Sequence, residues 1–485
     1  MADLEVMEPA VPVRSERPLC VDLDGTLVKS DTLADSLMVL ARSHPTALLR
    51  APFWAIKGKA HLKSQVGSLV TLDVAHLPYN RPLLDYLRDE HAAGRKLYLA
   101  TGADGVLARS IATHLGIFDD VMASDGAVNL TGSNKLMQLE QRFVGDGFDY
   151  IGNALPDLPL LQGARQAMLA NPDLRLNSAL KSRNIPVSRK FLERKRLPLA
   201  LTKALRLHQW AKNLLVFLPF LLAHSFHAAS VLTAAVAFFC FSLTASATYI
   251  LNDLLDLEQD RAHLSKRNRA FAAGDLSVTA GVAISLLLAA VALIAAAYLP
   301  RTFLAYLLLY FVTTLAYSFA LKRIALVDVV ILSSLYTIRM LAGAAATHTP
   351  ISPWLAAFSV FLFFSLAMVK RFSELQNLHA RGVTPTNGRG YLLSDTEQLR
   401  SFGTSSAYAS IVIFALYING HDVVALYHHA RRMWLITPLL ILWISRVWLL
   451  ASRGELDEDP VVFALTDRMS LLLGLGVLLV AYSAL

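Results

Sequence analysis

Two patterns of apolar spacing divide this chain. Through residues 1–180 the apolar residues come in short runs, such as 19–23 and 97–100, broken by Asp, Gly and Thr, as in an ordinary soluble α/β chain. From residue 209 the runs lengthen and follow one another to the C-terminus, at 209–226, 228–251, 278–299, 302–321, 325–346, 354–371, 402–420, 433–452 and 469–485. Each is near the ~20 residues that a membrane-spanning helix needs. The pattern predicts a two-domain chain. A polar, disordered start (1–17) precedes an α/β domain (18–180), a basic juxtamembrane linker (181–208), and an all-α polytopic membrane bundle of about nine helices (209–485).

Composition sharpens that division. The chain is 55% hydrophobic and 17% charged, with a mean hydropathy of +0.46. Residues 1–180 hold 17 Lys+Arg against 21 Asp+Glu, so the net charge of +8 comes from the remainder. Most of that surplus lies in residues 181–212, with ten basic residues and one Glu. A basic stretch before a first span is attracted to anionic lipid and marks the cytoplasmic side. The loops after even-numbered spans carry Arg261, Lys266, Arg267 and Arg269, then Lys322 and Arg323, then Lys370, Arg371, Arg381 and Arg389, in keeping with a cytoplasmic N-terminus. The expected location is the cell's inner (plasma) membrane, multi-pass, with the α/β domain in the cytoplasm. No aromatic interleaving accompanies the charge, so nucleic acid is not an expected partner. The two cysteines, Cys20 and Cys240, fall in different domains and suggest no disulfide framework. The N-terminus lacks the apolar core of a signal peptide.

"PLCVDLDGTLVKSDT" is an apolar strand that ends in Asp22, Asp24 and Gly25. Alternation puts both carboxylates on one side of an extended chain, and at a strand's C-terminal end that side faces a ligand crevice. One carboxylate can attack phosphorus while the other serves as general acid and base. The stretch resembles the first motif, DxDGTL, of the haloacid dehalogenase (HAD) superfamily of phosphatases. "RKLYLATGAD" resembles the second motif, with Thr101 for the phosphoryl group, and "GSNKLMQL" supplies Lys135 as the matching cation. "FDYIGNALPDLPLL" matches the acidic metal motif, with Asn153 where the family often has Asp. The resemblance, over about 20–175, implies a Rossmann-like fold and Mg²⁺ on Asp22, Asp157 and the backbone carbonyl of Asp24. Residues 31–80 are long enough for a small helical cap. A domain retired from catalysis and kept for folding or docking is the alternative.

Between the second and third apolar runs lies "ILNDLLDLEQDRAHLSKRNRAFAAG", with four acidic and four basic residues. If Asn252 to Asp260 continue the helix, Asp253, Asp256 and Asp260 share one face, with Asn252 four before Asp256. Hard oxygen ligands so placed suit Mg²⁺, which usually brings a diphosphate with it. Ionisable groups at a membrane helix end mark function by default; a solvated loop with i,i+4 salt bridges is the alternative.

The N-D-x-x-D-x-x-x-D pattern resembles the first acidic motif of the UbiA-type intramembrane prenyltransferases, over about 200–485. A second aspartate-rich motif is expected after the sixth span, but that place reads "MVKRFSELQNL". Together with "LRLHQWAKNLLVF" and "YSFALKRIALVDVV", the chain resembles the branch that moves phosphoribose from phosphoribosyl diphosphate to a polyprenyl phosphate such as decaprenyl phosphate, a step of cell wall biosynthesis; Leu264 and Ala270 stand where that branch usually has Pro. Three separate phosphate groups call for cations as well as metal. The expected phosphate contacts are Lys212, Arg267, Lys322 and Arg371, with Asn213 and Asn252 beside them. A fused phosphatase could then remove the 5-phosphate of the lipid product. The alternatives are prenyl transfer from an isoprenyl diphosphate to an aromatic or lipid acceptor, and a transporter or passive anchor carrying a phosphatase. Lipid length and oligomeric state stay open.

Overall fold

The computed structural model describes residues 17–125, 129–224, 226–380, 390–456 and 459–485. Residues 1–16 of the expected disordered start lie outside them, as do Arg381 and Arg389. The chain divides into two compact units: Met1–Ala204 with Leu251–Ala283, and Leu205–Ile250 with Ile284–Leu485.

The first unit is built on β1 (Leu19–Val21), which pairs in parallel with both β2 (Leu97–Asp104) and β4 (Asp149–Gly152). With β3 (Asp120–Ser124), β5 (Ala167–Ala170) and β6 (Val187–Phe191) the sheet order is β3-β2-β1-β4-β5-β6. Leu19, Cys20 and Val21 are all fully buried, because helices cover both faces of a parallel sheet, so such strands read as continuous apolar runs. Strand order reverses at β1. The C-terminal ends of β1 and β4 therefore open the crevice where ligands bind in such sheets.

Between β1 and β2 lie α1 (Thr32–Ser43) and α2 (Lys59–Leu69), with short helices between them, in the place expected for a cap. Asp31 starts α1 by accepting hydrogen bonds from the N–H groups of Leu33 and Ala34. The basic run differs from the expected linker, because β6 lies within it and closes the sheet beside β5. Of its five residues only Phe191 is buried, and Ser188, Arg189 and Lys190 face outward. An edge strand guarded by charge in this way carries little apolar signal. Leu251–Ala283 belongs to this unit through ion pairs of Arg261 with Asp35 and of Asp275 with Lys195, and through Gly274 lying against Lys29.

Seven described helices are long and apolar enough to cross a membrane. Five are α4 (Ala228–Leu255), α6 (Val278–Ala297), α7 (Arg301–Phe319), α8 (Val327–Thr347) and α9 (Pro353–Ala380); α5 (Leu257–Ala262) is a short turn after α4. The other two centre on α10 (Thr396–Ile418) and α11 (Ile436–Ser452). Then α12 (Pro460–Thr466) and α13 (Arg468–Ala484) meet at 77°, an eighth span if taken together. About two-thirds of α8 is buried against 17% of α6, so α8 is central and α6 peripheral.

The expected first span, 209–226, forms no helix of that length. It is a 3₁₀ segment, Leu207–Phe217, followed by one short helix with Pro219 in its first turn. Lys212 and Asn213 point inward from this segment. It lies against α8 at backbone distance, since a Cβ at Gly343 would stand 2.0 Å from the Val216 carbonyl oxygen.

Because that obstacle is backbone, Gly343→Ala is expected to cost about 1–3 kcal/mol. A lowered melting temperature of the detergent-solubilised protein, beside an unaffected Gly474→Ala, checks it.

Candidate functional site

The crevice at β1 gathers the residues of the first motif set. Asp22 leaves the end of β1, and its Oδ1 accepts a hydrogen bond from Lys135 Nζ at 2.7 Å. Lys135 comes from α3 (Ser133–Arg142) and also donates to the Tyr150 hydroxyl at 3.0 Å. Asp24 Oδ1 accepts from the Thr32 N–H at 2.8 Å, so the first turn of α1 rests on this carboxylate. Thr101, on β2, is fully buried, and its hydroxyl accepts from the Ala103 N–H.

Asp157 is fully engaged. Its Oδ2 accepts from the N–H groups of Asn153 and Ala154, and its Oδ1 from the Tyr150 hydroxyl at 2.9 Å. It also lies 3.8 Å from Lys135. It thus shapes the loop after β4 and holds the lysine. Asn153 lies directly over Gly25, where a Cβ would stand 2.1 Å from its Nδ2, and Gly25 has a φ of +76°. Only glycine fits that turn.

Burial pushes the Asp22 carboxyl up to about 6 against the pull of Lys135. Burial, and then the neighbouring Asp31, pushes Asp24 up to about 7. Burial works against the Lys135 charge, but Asp22 and Asp157 raise its pKa above the ordinary lysine value. The pair therefore differs in character near neutrality: one carboxylate with an ammonium beside it, and one carboxyl that can carry a proton. Hard oxygens from Asp22 and Asp24 face this crevice, and the donor set suits Mg²⁺. A cavity beside it is lined by Thr32, Ser36, Lys63, Leu72 and Asp104. Lys63, which the sequence did not single out, reaches from α2 to the Gly102 carbonyl at 2.5 Å and to Asn129 Oδ1.

The acidic segment lies in the same unit. Helical hydrogen bonding carries through it, as Asp256 N–H donates to the Asn252 carbonyl and Asp260 N–H to the Asp256 carbonyl. Asp253 and Asp260 are buried, at 4% and 3% exposure. Both accept from a single atom, Arg269 Nη1, at 3.0 and 2.6 Å. Asp256 Oδ1 accepts from Arg42 Nη1 at 2.6 Å, and its Oδ2 from Asn252 Nδ2 at 3.2 Å. Among the described residues no three His, Cys, Asp or Glu side chains surround one point. Two guanidinium groups, those of Arg269 and Arg42, lie against these carboxylates. Two carboxylates that converge on one cationic nitrogen are chemically suited to a divalent ion in its place. Arg267 is exposed. Arg269, its neighbour, is the one turned onto the aspartates.

The second unit holds a set of cations, with Lys212 and Arg371 buried and Lys370 half-buried. Lys212 Nζ lies 2.7 Å from Asp459 Oδ2, and Lys370 Nζ lies 2.8 Å from the same oxygen. Arg371 pairs with Asp328 at 2.6 Å and Glu374 at 2.7 Å, and donates to the Tyr317 hydroxyl. Tyr391 adds a hydrogen bond to the other Asp328 oxygen, so Asp328 serves as counter-ion to Arg371. Asn213 is held between Arg339 Nε and the Ser242 hydroxyl. Lys322 is half-buried, on a 3₁₀ turn before α8.

Sequence reading missed Arg339 and Asp459. Arg339 stands inside an apolar run, which was signal enough. Asp459 precedes Pro460 and caps α12, a start signal for a helix too short to notice.

Residues 213–474 match the UbiA prenyltransferase family. An uncharacterized protein of Sinorhizobium fredii (strain NBRC 101917 / NGR234) is 40% identical over 462 residues, 94% of this chain and 89% of that protein. The decaprenyl-phosphate phosphoribosyltransferase of Mycobacterium tuberculosis (strain ATCC 25618 / H37Rv) is 34% identical over 282 residues, 56% of this chain and 90% of its own length. The structure of a HAD family hydrolase from Salmonella enterica subsp. enterica serovar Typhi aligns with 37% of this chain and 68% of its own, at 15% identity and a TM-score of 0.28.

Raised carboxyl pKa values make Asp24 costly to ionise in the folded state. The folded unit holds a proton there that the unfolded chain loses, so its stability falls as pH rises from about 4 to about 7. Asp24→Asn is therefore expected to raise the melting temperature in EDTA, by more at pH 8 than at pH 5. Melting curves at the two pH values check it.

Proposed function

The chain belongs to the UbiA prenyltransferase family, and we propose that it transfers 5-phosphoribose from phosphoribosyl diphosphate to a polyprenyl phosphate, with the α/β unit acting as a phosphatase on a phosphate ester. It is a membrane protein; we assign it to the inner membrane, with the α/β unit on the cytoplasmic side. The observation that carries the transferase reading is the inward cation set of Lys212, Arg339 and Arg371, all buried, with Lys370 half-buried beside them. An isoprenyl diphosphate brings only one diphosphate for metal to neutralise. Phosphoribosyl diphosphate with a lipid phosphate brings two further phosphates, and those need Lys and Arg. The similarity to the mycobacterial decaprenyl-phosphate phosphoribosyltransferase supports the same reading.

Asp253, Asp256 and Asp260 would hold Mg²⁺, with Asn252 orienting Asp256. Bound Mg²⁺ supplies charge neutralisation on the departing diphosphate. The chain's own residues do the rest. Lys212 and Lys370 are aimed together by Asp459, and a pair of ammonium groups fixed in this way can grip one phosphate. Arg371 is held rigid by Asp328 and Tyr317, which suits bidentate binding of a second. The lipid phosphate is already ionised at neutral pH, so its oxygen attacks C1 without a general base. Lys322, Arg267 and Asn213 complete the proposed contacts, the last through Arg339.

In the α/β unit, Asp22 attacks phosphorus, Lys135 and Thr101 hold the transferring phosphoryl group, and Asp24 protonates the leaving oxygen. Mg²⁺ there would lie on Asp22 and the Asp24 carbonyl, with Asp157 on the loop behind. The transfer product still bears a 5-phosphate. A phosphatase on the same chain meets that product at raised effective concentration, and it is our candidate substrate.

Membranes given labelled phosphoribosyl diphosphate, polyprenyl phosphate and Mg²⁺ are expected to yield label in the lipid extract. Asp253→Asn and Asp256→Asn should each lower it by roughly 100-fold or more, the scale of losing a main charge-stabilising group. Label transfer only from isoprenyl diphosphates would defeat the reading. Separately, Asp22→Asn should abolish phosphate release from the purified lipid product while leaving its synthesis intact; equal release by wild type and mutant would disprove the coupling.

A further inference from the structure

Within the first unit, the acidic segment receives a residue from α1. Arg42, in the last turn of α1, donates from Nη1 to Asp256 Oδ1 at 2.6 Å and to the Leu255 carbonyl at 3.3 Å. The two partners lie 214 residues apart in sequence. The same helix is tied at two other points. Its first N–H, from Thr32, rests on Asp24 of the hydrolase crevice. Also in its first turn, Asp35 pairs with Arg261 at 2.8 Å, and the Ser30 hydroxyl accepts a second bond from that guanidinium. One helix thus joins the proton-carrying carboxyl of one proposed site to a proposed metal ligand of the other, ~15 Å along its axis at 1.5 Å per residue.

The two ion pairs differ in a way that assigns them different jobs. The Arg261 and Asp35 side chains are 3% and 0% exposed. A pair that dry cannot open without leaving an uncompensated buried charge. The Arg42 and Asp256 side chains are 22% and 16% exposed. Water can reach that pair, and parting it costs far less. The first is a permanent clamp and the second an exchangeable contact.

On the reading that Asp253, Asp256 and Asp260 hold a divalent ion, we infer that Arg42 is the resident counter-cation of Asp256 and leaves it when metal binds. A guanidinium and a divalent ion cannot share one carboxylate oxygen without strong like-charge repulsion. Arg269 does the same for Asp253 and Asp260, but from within the segment itself. Arg42 comes from α1, whose first turn rests on Asp24 of the hydrolase crevice. Metal binding at the transferase carboxylates therefore loosens the C-terminal turn of α1, while the Arg261 clamp keeps the segment in place. By linkage the effect is reciprocal: whatever tightens α1 on Asp256 weakens metal there by the same factor.

The test is Mn²⁺ binding followed by electron paramagnetic resonance on the full-length protein in detergent. An Asp22→Asn, Asp24→Asn background silences the hydrolase crevice. Arg42→Gln is expected to tighten Mn²⁺ binding about two- to fivefold, the scale of a partly exposed ion pair. Arg42→Lys keeps a competing cation and should stay near wild type. Adding Asp256→Asn should erase the Arg42→Gln effect. In protein with native Arg42, Mn²⁺ should speed amide exchange over the last turn of α1. Unchanged or weaker Mn²⁺ binding in Arg42→Gln overturns the inference. If instead Asp253→Asn and Asp256→Asn leave Mn²⁺ binding untouched, it is the metal reading itself that has failed, and the inference falls with it.

Discussion

Asp22 lies against Lys135, Asp35 against Arg261, Asp328 against Arg371, and Asp253 and Asp260 both against Arg269. A carboxylate taken out of water costs several kcal/mol unless a cation lies against it. That constraint organises both units. In the α/β unit it draws α3 onto the end of β1 through Lys135. In the helical unit it draws α8 and α9 together through Asp328 and Arg371. Such pairs add little net stability, because desolvation consumes most of the Coulombic gain. Their effect is to admit few arrangements of the groups around them.

Degree of burial separates the pairs by role. Arg371 and Asp328 are 2% and 0% exposed, so theirs is as closed to water as the Arg261 clamp. Lys370 is one-third exposed where it meets Asp459. Closed pairs hold helices in register. Open ones can trade a partner for a phosphate or a metal ion. The proposed phosphate contacts fall in both classes, which gives the site rigid donors beside adjustable ones.

Much of the candidate site could be read in the chain because its chemistry is local. Asp22 and Asp24 share a side through strand alternation, and Asn252, Asp256 and Asp260 remain linked by i,i+4 hydrogen bonds even where α4 gives way to α5. The charge inside a span at Arg339 was equally visible. The first span failed as an expectation for a reason composition cannot express. Its apolar residues suit a helix, but Lys212 and Asn213 must turn inward and Pro219 interrupts the backbone ladder. The edge strand β6 was hidden by the same surface charge that protects it.

Sequence by itself determined the division into an α/β part and a spanning part, the carboxylates at β1, and the acidic segment, since each depends on spacing within a few residues. Tertiary structure alone decided which cation each carboxylate receives. Asp459 gathers Lys212 from 247 residues away and Lys370 from 89, and Asp256 takes Arg42 from 214. Periodicity cannot reach so far. An ion pair is fixed by distance in space and by how much water the surrounding fold excludes, and neither exists until the chain has folded.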